Sequence, residues 1–201
     1  MEELESLLNI SSIVSPKEDI NQKLQNLAEV LMNEYVIVNG TYEYRPIEIE
    51  FYIYDKDVHA DEHVYARNAK AGQLYLHKMG IDICFKSSME TGKFGGVLIR
   101  AIEREDNMYF VGPRICSYEL INTATSLCRV KKSEVKLECQ VIESERIGLN
   151  EWKDSKSDWK DEYYNKKYRF VRDGLKEVKM EVPKYDFRET KLIANTKTFK
   201  F

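Results

Sequence analysis

No stretch of this 201-residue chain reaches eighteen consecutive apolar residues, so no membrane-spanning helix is predicted. The first residues, MEELESLLNISSIV, start acidic and lack the basic segment that opens a secretory signal. A cytoplasmic location is therefore expected. Cysteine is sparse: Cys84, Cys116, Cys128 and Cys139 lie 32, 12 and 11 residues apart, with no C-x-x-C and no histidine close in sequence. That spacing argues against a zinc site, and in a reducing compartment the four thiols read as free and mostly buried. Positive charge is not in excess either. Lys and Arg number 31 against 34 acidic residues, a net charge of −3, which argues against coating nucleic acid by bulk charge. The balance is uneven, however: from Lys160 onward 12 basic residues meet 7 acidic ones, leaving 19 against 27 in the first 159. A local basic surface is still allowed. No internal repeat or low-complexity tract stands out.

What is present suits one globular domain. Hydrophobic residues make up 43% of the chain, enough for a sizeable core, and the charged share of 32% is above average. Ser15-Pro16-Lys17-Glu18 carries the marks of a helix start, with Ser15 as cap, Pro16 at the first helical position and Glu18 completing a capping box. Ile20, Leu24, Leu27 and Leu31 follow at helical spacing, predicting a helix from about Pro16 to Glu34. Val36-Ile37-Val38 reads as a strand ending at the turn signal Asn39-Gly40. After Pro46, Ile47, Ile49, Phe51 and Ile53 alternate with Glu48, Glu50, Tyr52 and Tyr54, the pattern of a strand with one apolar face. Residues 55–70 read as a long polar loop holding His59 and His63. Strands are expected at Gly72–His77, Ile81–Phe85, Val97–Ile102 and Tyr168–Val171, alternation recurs over Val135–Ile142, and a short helix is expected over Ser117–Cys128. Glu151–Lys167 reads as a loop. The order predicts an α+β fold on a curled, largely antiparallel sheet with an N-terminal helix. Its expected parts are an arm at 1–15, a domain at 16–182 and an irregular tail at 183–201.

Chemistry is suggested by few residues. Glu48, Glu50 and Tyr52 share a strand face, with Glu48 and Glu50 about 7 Å apart along it. A carboxylate beside another, partly shielded by aromatics, tends to have a raised pKa and suits acid–base work; on pattern alone, two solvated glutamates are the competing reading. Arg100 is the one charge in Val97-Leu98-Ile99-Arg100-Ala101-Ile102, and either has a buried partner or snorkels from an edge strand. Each histidine taken singly reads as an ordinary loop or surface residue. Tyr52, Tyr54 and Tyr75 either stack on a ligand or simply pack.

Read in order, Glu50-Phe51-Tyr52, a His-bearing loop, Arg67-Asn68, Gly72-Gln73-Leu74-Tyr75-Leu76-His77 and Val97-Leu98-Ile99-Arg100-Ala101-Ile102-Glu103 resemble the alkyladenine (3-methyladenine) DNA glycosylase family. Gly112-Pro113-Arg114-Ile115-Cys116, Arg146-Ile147-Gly148 and Tyr168-Arg169-Phe170-Val171-Arg172 are shorter echoes of the same family. The resemblance covers roughly residues 16–173. It implies the glycosylase fold and a monofunctional enzyme that flips a damaged purine nucleotide out of double-stranded DNA and hydrolyses its N-glycosidic bond, with no metal or cofactor. By position, Glu50 would be the general base that activates water, and Arg100 would position that water or the neighbouring phosphate and sugar. Tyr52, His59, Tyr75 and His77 would line the base pocket; His59 fits the family's loop histidine better than His63 by its distance from Asn68. Arg67, Lys70, Lys78, Met79 and Arg114 would meet the nucleic acid. The family's wedge tyrosine has no counterpart: Lys78-Met79 occupies that stretch, and Met79 could serve as an apolar wedge. Lys86, or a shift in register, replaces the family's pocket asparagine. The alternative is a non-catalytic nucleotide- or nucleic-acid-binding protein on the same fold. Either way a monomer is assumed, and Glu50, Tyr52 and Arg100 are expected to converge on one concave pocket.

Overall fold

The structure is a computed structural model that describes residues 2–14, 19–122, 128–149, 163–174, 177–186 and 191–200. It is an α+β fold built on a curled antiparallel sheet. Helix α3 spans Ile20–Glu34 and is capped by Asp19, whose carboxylate accepts from the Asn21 amide at 2.9 Å. The Ser15–Glu18 capping box lies outside the described residues, as do residues 151–162 of the expected loop. Leu24, Leu27, Ala28, Leu31 and Met32 form the buried stripe of α3, as its apolar spacing requires.

Strand β1 (Tyr35–Asn39) turns into β2 (Tyr42–Asp55) through Gly40 and Thr41. The pair Asn39–Tyr42 closes a two-residue loop, and Gly40 supplies its positive φ of 61°. β2 starts before Pro46, earlier than the alternation alone suggests, and is the central strand of the fold. One of its edges is covered along its length by β6 (Lys93–Arg104). The other is shared in succession by β1, β10 (Arg169–Arg172) and β3 (His59–Ala60). Beyond β6 lie β5 (Gly80–Cys84) and β4 (Leu74–His77), joined as a hairpin, and β7 (Tyr109–Val111). β8 (Arg129–Lys132) pairs with β1, and β9 (Val141–Ser144) with β10. Only the end of the Val135–Ile142 alternation therefore becomes strand.

The odd face of β2 makes the core. Ile49, Phe51 and Ile53 are fully buried against α3 together with Ile83, Val97, Ile99 and Phe170. The Phe51 and Phe170 rings meet edge to face at 5.4 Å. Two N-terminal helices, α1 (Glu2–Leu7) and α2 (Ile10–Ile13), and the turn between them add Leu4, Leu8, Ile10 and Ile13 to this same core, so the expected arm is part of the domain. The expected irregular tail is also corrected. β11 (Glu177–Asp186) and β12 (Lys191–Lys200) form a hairpin of ten residue pairs in a second, two-stranded sheet. Val178, Met180 and Val182 of β11 do alternate, but Pro183 interrupts the run and the apolar residues of β12 do not alternate, so the pattern alone does not mark a hairpin. Helix α4 (Pro113–Asn122) starts earlier than expected and packs on β5, β6 and β7. Among the described residues no helix is long and apolar enough to cross a membrane.

Candidate active site

The even face of β2 carries the site. Its alternation survives register shifts between Pro46 and Glu48 and between Glu48 and Ile49, so Glu48, Glu50 and Tyr52 all turn away from the core. Flanking strands on both edges nevertheless bury the two glutamates: Glu48 is 4% exposed and Glu50 is 0%. The solvated-pair reading is therefore excluded.

Both oxygens of Glu50 are engaged. Oε1 accepts from the Ile147 amide at 2.7 Å and lies 3.2 Å from Arg100 Nη1. Oε2 accepts from the Tyr52 hydroxyl at 3.0 Å. Burial pushes the Glu50 carboxyl above the ordinary carboxylate range, with Arg100, the Ile147 amide and the Tyr52 hydroxyl opposing the shift. Burial raises the Tyr52 phenol too, helped by the Glu50 charge. Arg100 is not a snorkelling edge residue: its Nε donates to Glu48 Oε1 at 2.8 Å. Burial works against its charge, but Glu50 and Glu48 outweigh this and hold the guanidinium above its usual range.

Tyr52, Arg100 and Ile147 all touch Glu50, and all three line a cavity of about 180 Å³. Its other walls come from His63, Tyr65 and Arg67 of the loop after β3, from His77 and Met79 of the β4–β5 hairpin, and from Asp82, Leu98, Pro113 and Leu149. Tyr52 and Arg100 thus line the cavity as expected, with His77 beside them, whereas Glu50 is not among the lining residues and touches both from behind the wall. His77 accepts from the Met79 amide through Nδ1 at 3.3 Å, which leaves Nε2–H to donate to Asp82 at 3.0 Å. Both ring nitrogens are used within the wall, so what this histidine offers the cavity is its ring. Tyr65 lies beside it, with ring centroids 5.0 Å apart.

The expected site residues His59, Tyr75 and Lys70 lie outside this cavity. His59 pairs across strands with Asp55, an odd position of β2, and directly opposed residues share a sheet face. It is buried on the core side, its nitrogens 2.9 Å from the Ile53 carbonyl and 2.9 Å from the Tyr168 hydroxyl, and burial lowers its pKa. His63 takes the place expected for it. Tyr75 does not line the cavity but supports it from behind, with the Arg67 guanidinium 4.6 Å over its ring. Arg67 is no surface phosphate contact: it is 4% exposed, and its Nη1 lies 2.7 Å from Asp82 Oδ2. Gly96 makes room for that pair, since a Cβ there would come within 2.8 Å of Arg67 Nη2 and 2.9 Å of Asp82 Cβ. Of the remaining expected contacts, Met79 lines the cavity and Lys78 and Arg114 are exposed on neighbouring elements, whereas Lys70 lines a separate groove beside α2.

Sequence reading missed Asp61, Arg146, Ile147 and Arg169. Ile147 acts through its backbone, which leaves no mark on residue type. Arg146 and Asp61 form an ion pair with both side chains 0% exposed. Arg169 shares Glu48 with Arg100, its Nε 2.7 Å from Oε1. No group of three or more metal-ligating side chains is found among the described residues. All four cysteines are free, Cys84 and Cys116 buried and Cys128 and Cys139 partly so. The chain matches no protein-family model, and comparison with curated proteins also finds no match.

Proposed function

We propose that this cavity is the base pocket of a DNA glycosylase that releases an alkylated or deaminated purine from damaged double-stranded DNA. The observation that carries the reading is the Glu50 carboxylate, buried directly behind the wall of an aromatic-lined cavity and held there by three residues that line it, Arg100, Tyr52 and Ile147 through its amide. The space suits a flat ring system: cavities of about 150 Å³ accept benzene. A flipped base would stack against Tyr52, Tyr65, His63 and His77, which bind electron-poor or cationic rings well. In the chemical step a water oxygen bonds to C1′ as the C1′–N bond breaks. The base leaves with the bonding electron pair, and Glu50 takes the water proton. Its negative charge also stabilises the positive charge growing on the sugar. Arg100 favours the ionised form of Glu50 against the effect of burial, and orients it. The resemblance to alkyladenine glycosylases supports the same assignment of Glu50 and Arg100.

A second reading, a nucleotide-binding module without hydrolysis, is favoured by one observation. Arg67 is buried beside Asp82 and Lys70 lies on another groove, which thins the expected phosphate contacts. One experiment separates the two. Duplex oligonucleotides carrying hypoxanthine or 1,N6-ethenoadenine are incubated with the protein and then cleaved with alkali. Strand scission at the lesion supports the glycosylase; binding without scission supports the module.

A further inference from the structure

We infer that the buried Arg146–Asp61 pair is a positioning device that sets the Ile147 amide, the Tyr52 ring and the His63 imidazole around the cavity. Its catalytic meaning rests on the glycosylase reading; its geometry does not. Arg146 Nη1 lies 2.7 Å from Asp61 Oδ2, and Nη2 donates to the Tyr163 carbonyl at 2.9 Å. The guanidinium carbon sits 4.8 Å from the Tyr52 ring centroid, on the ring whose hydroxyl donates to Glu50. Asp61 uses its other oxygen, Oδ1, to accept from the His63 amide at 3.0 Å and to face His63 Nδ1 at 2.8 Å. Burial works to raise the Asp61 carboxyl, but the His63 and Arg146 contacts outweigh it and hold the group below its ordinary value.

The next residue along the chain makes the link to Glu50. β9 ends at Ser144, so the segment carrying Ile147 has no strand ladder of its own. Ile147 is 50% exposed. A half-exposed segment does not by itself hold an N–H 2.7 Å from a buried carboxylate. Anchoring the Arg146 side chain at Asp61, Tyr163 and Tyr52 fixes the planar peptide that joins Arg146 to Ile147, and with it the direction of the amide. A fully buried ion pair is a poor source of stability, because desolvation offsets the Coulomb gain and apolar side chains often do as well. Orientation accounts for what stability does not.

The test is the titration of the Glu50 carboxyl, followed by carbon-13 NMR in the full chain, so that its readout is independent of base release. Glu50 is faced by Glu48 and Tyr52 from β2, by Arg100 from β6, by Arg169 through Glu48 from β10, and by the Arg146–Ile147 segment. Arg146→Lys keeps the charge and loses the fork. The Glu50 midpoint is expected to rise by about one pH unit, because a hydrogen bond to the charged form is lost. Asp61→Asn removes a negative charge, which by Coulomb's law alone would lower the midpoint, so a rise in that variant identifies repositioning. Ile99→Val, a core trim away from the site, should leave the midpoint where it is. A folded Arg146→Lys protein with an unmoved midpoint overturns the inference. If neither variant folds, hydrogen exchange in the unaltered protein decides: the Ile147 amide and the Arg146 guanidinium protons should open as one unit, and clearly different opening rates overturn it. A shifted midpoint in a protein that releases no base removes the glycosylase reading alone; base release with an unmoved midpoint removes the positioning role alone.

Discussion

Arg100 and Arg169 donate their Nε–H groups to the same oxygen, Oε1 of Glu48, at 2.8 and 2.7 Å. Two guanidinium groups from strands on opposite edges of β2 are thereby held together by one carboxylate that is 4% exposed. Glu48→Ala leaves both cations facing each other with the carboxylate gone. Breaking buried pairs of this kind costs about 3–5 kcal/mol, and urea unfolding should show a loss on that scale. Glu48→Gln retains an acceptor oxygen and should lose less. A solvated surface glutamate, the competing reading of the sequence pattern, would show almost no effect from either change.

Glu50→Gln should separate function from stability. Gln keeps the shape but cannot take a proton, so single-turnover base release should fall by about 10²-fold or more. Stability should move the other way. Folding raises the Glu50 pKa, so the carboxyl's contribution to stability is present below its unfolded pKa and is lost as pH rises through the folded one. The variant should therefore melt at a higher temperature than the unaltered protein at neutral pH, with the difference shrinking toward pH 4. Release by the unaltered protein should rise with pH across the raised pKa, since the base must be ionised. A lower melting temperature for Glu50→Gln at pH 7 would contradict the burial argument.

Cations beside the cavity and cations inside its wall should respond differently to salt. Lys78→Ala and Arg114→Ala remove exposed charges and should each weaken duplex binding while flattening its salt dependence, by about one unit of slope per lost phosphate contact. Arg67→Ala should instead leave Asp82 buried with only His77, lowering thermal stability. Fluorescence anisotropy at two salt concentrations, paired with thermal melts, distinguishes the groups. Binding by all three variants that tracks melting temperature alone would reject phosphate contact by Lys78 and Arg114.

Thiol labelling reports on packing around the site. Burial pushes the Cys84 thiol up to about 11 and raises Cys116 further still, where Phe110 accepts its S–H. Only thiolates react, so both should stay unlabelled in the folded protein at pH 7. Cys128 and Cys139, each partly exposed, should label first. Prompt labelling of Cys116 would show that α4 opens away from β6 on the labelling timescale.

Much of the frame was legible in residue order. The period-two pattern of residues 47–54 identified both faces of β2; the lone charge at Arg100 leaves a buried partner and a snorkelling edge residue both open, and the Glu48 contact decides for the partner. What failed depended on distant strand pairing. His59 and His63 are equivalent in composition; only the Asp55–His59 pairing, which turns His59 onto the core face, tells them apart. Arg67 looked like any loop cation, because nothing near it in sequence reveals that Gly96 opens a space for it against Asp82. The Asp61–Arg146 contact joins residues 85 positions apart, beyond the reach of any local periodicity.

The arrangement of β2 also governs when the site can exist during folding. Glu50 stands between Leu98 on β6 and Arg169 on β10, partners 48 and 119 residues further along the chain. Hairpins such as β1–β2 close over short loops and form early, whereas pairings over such distances must wait for costly loop closure. Until β10 docks, the β2 edge from Glu48 to Glu50 is unpaired, two carboxylates sit next to open backbone, and Arg169 is absent from Glu48. Nearly native chains would then pass through a stage with a formed core and an unformed acid pair. The rate at which Glu50 acquires its raised pKa measures the last long-range closure of the sheet rather than the collapse of the core.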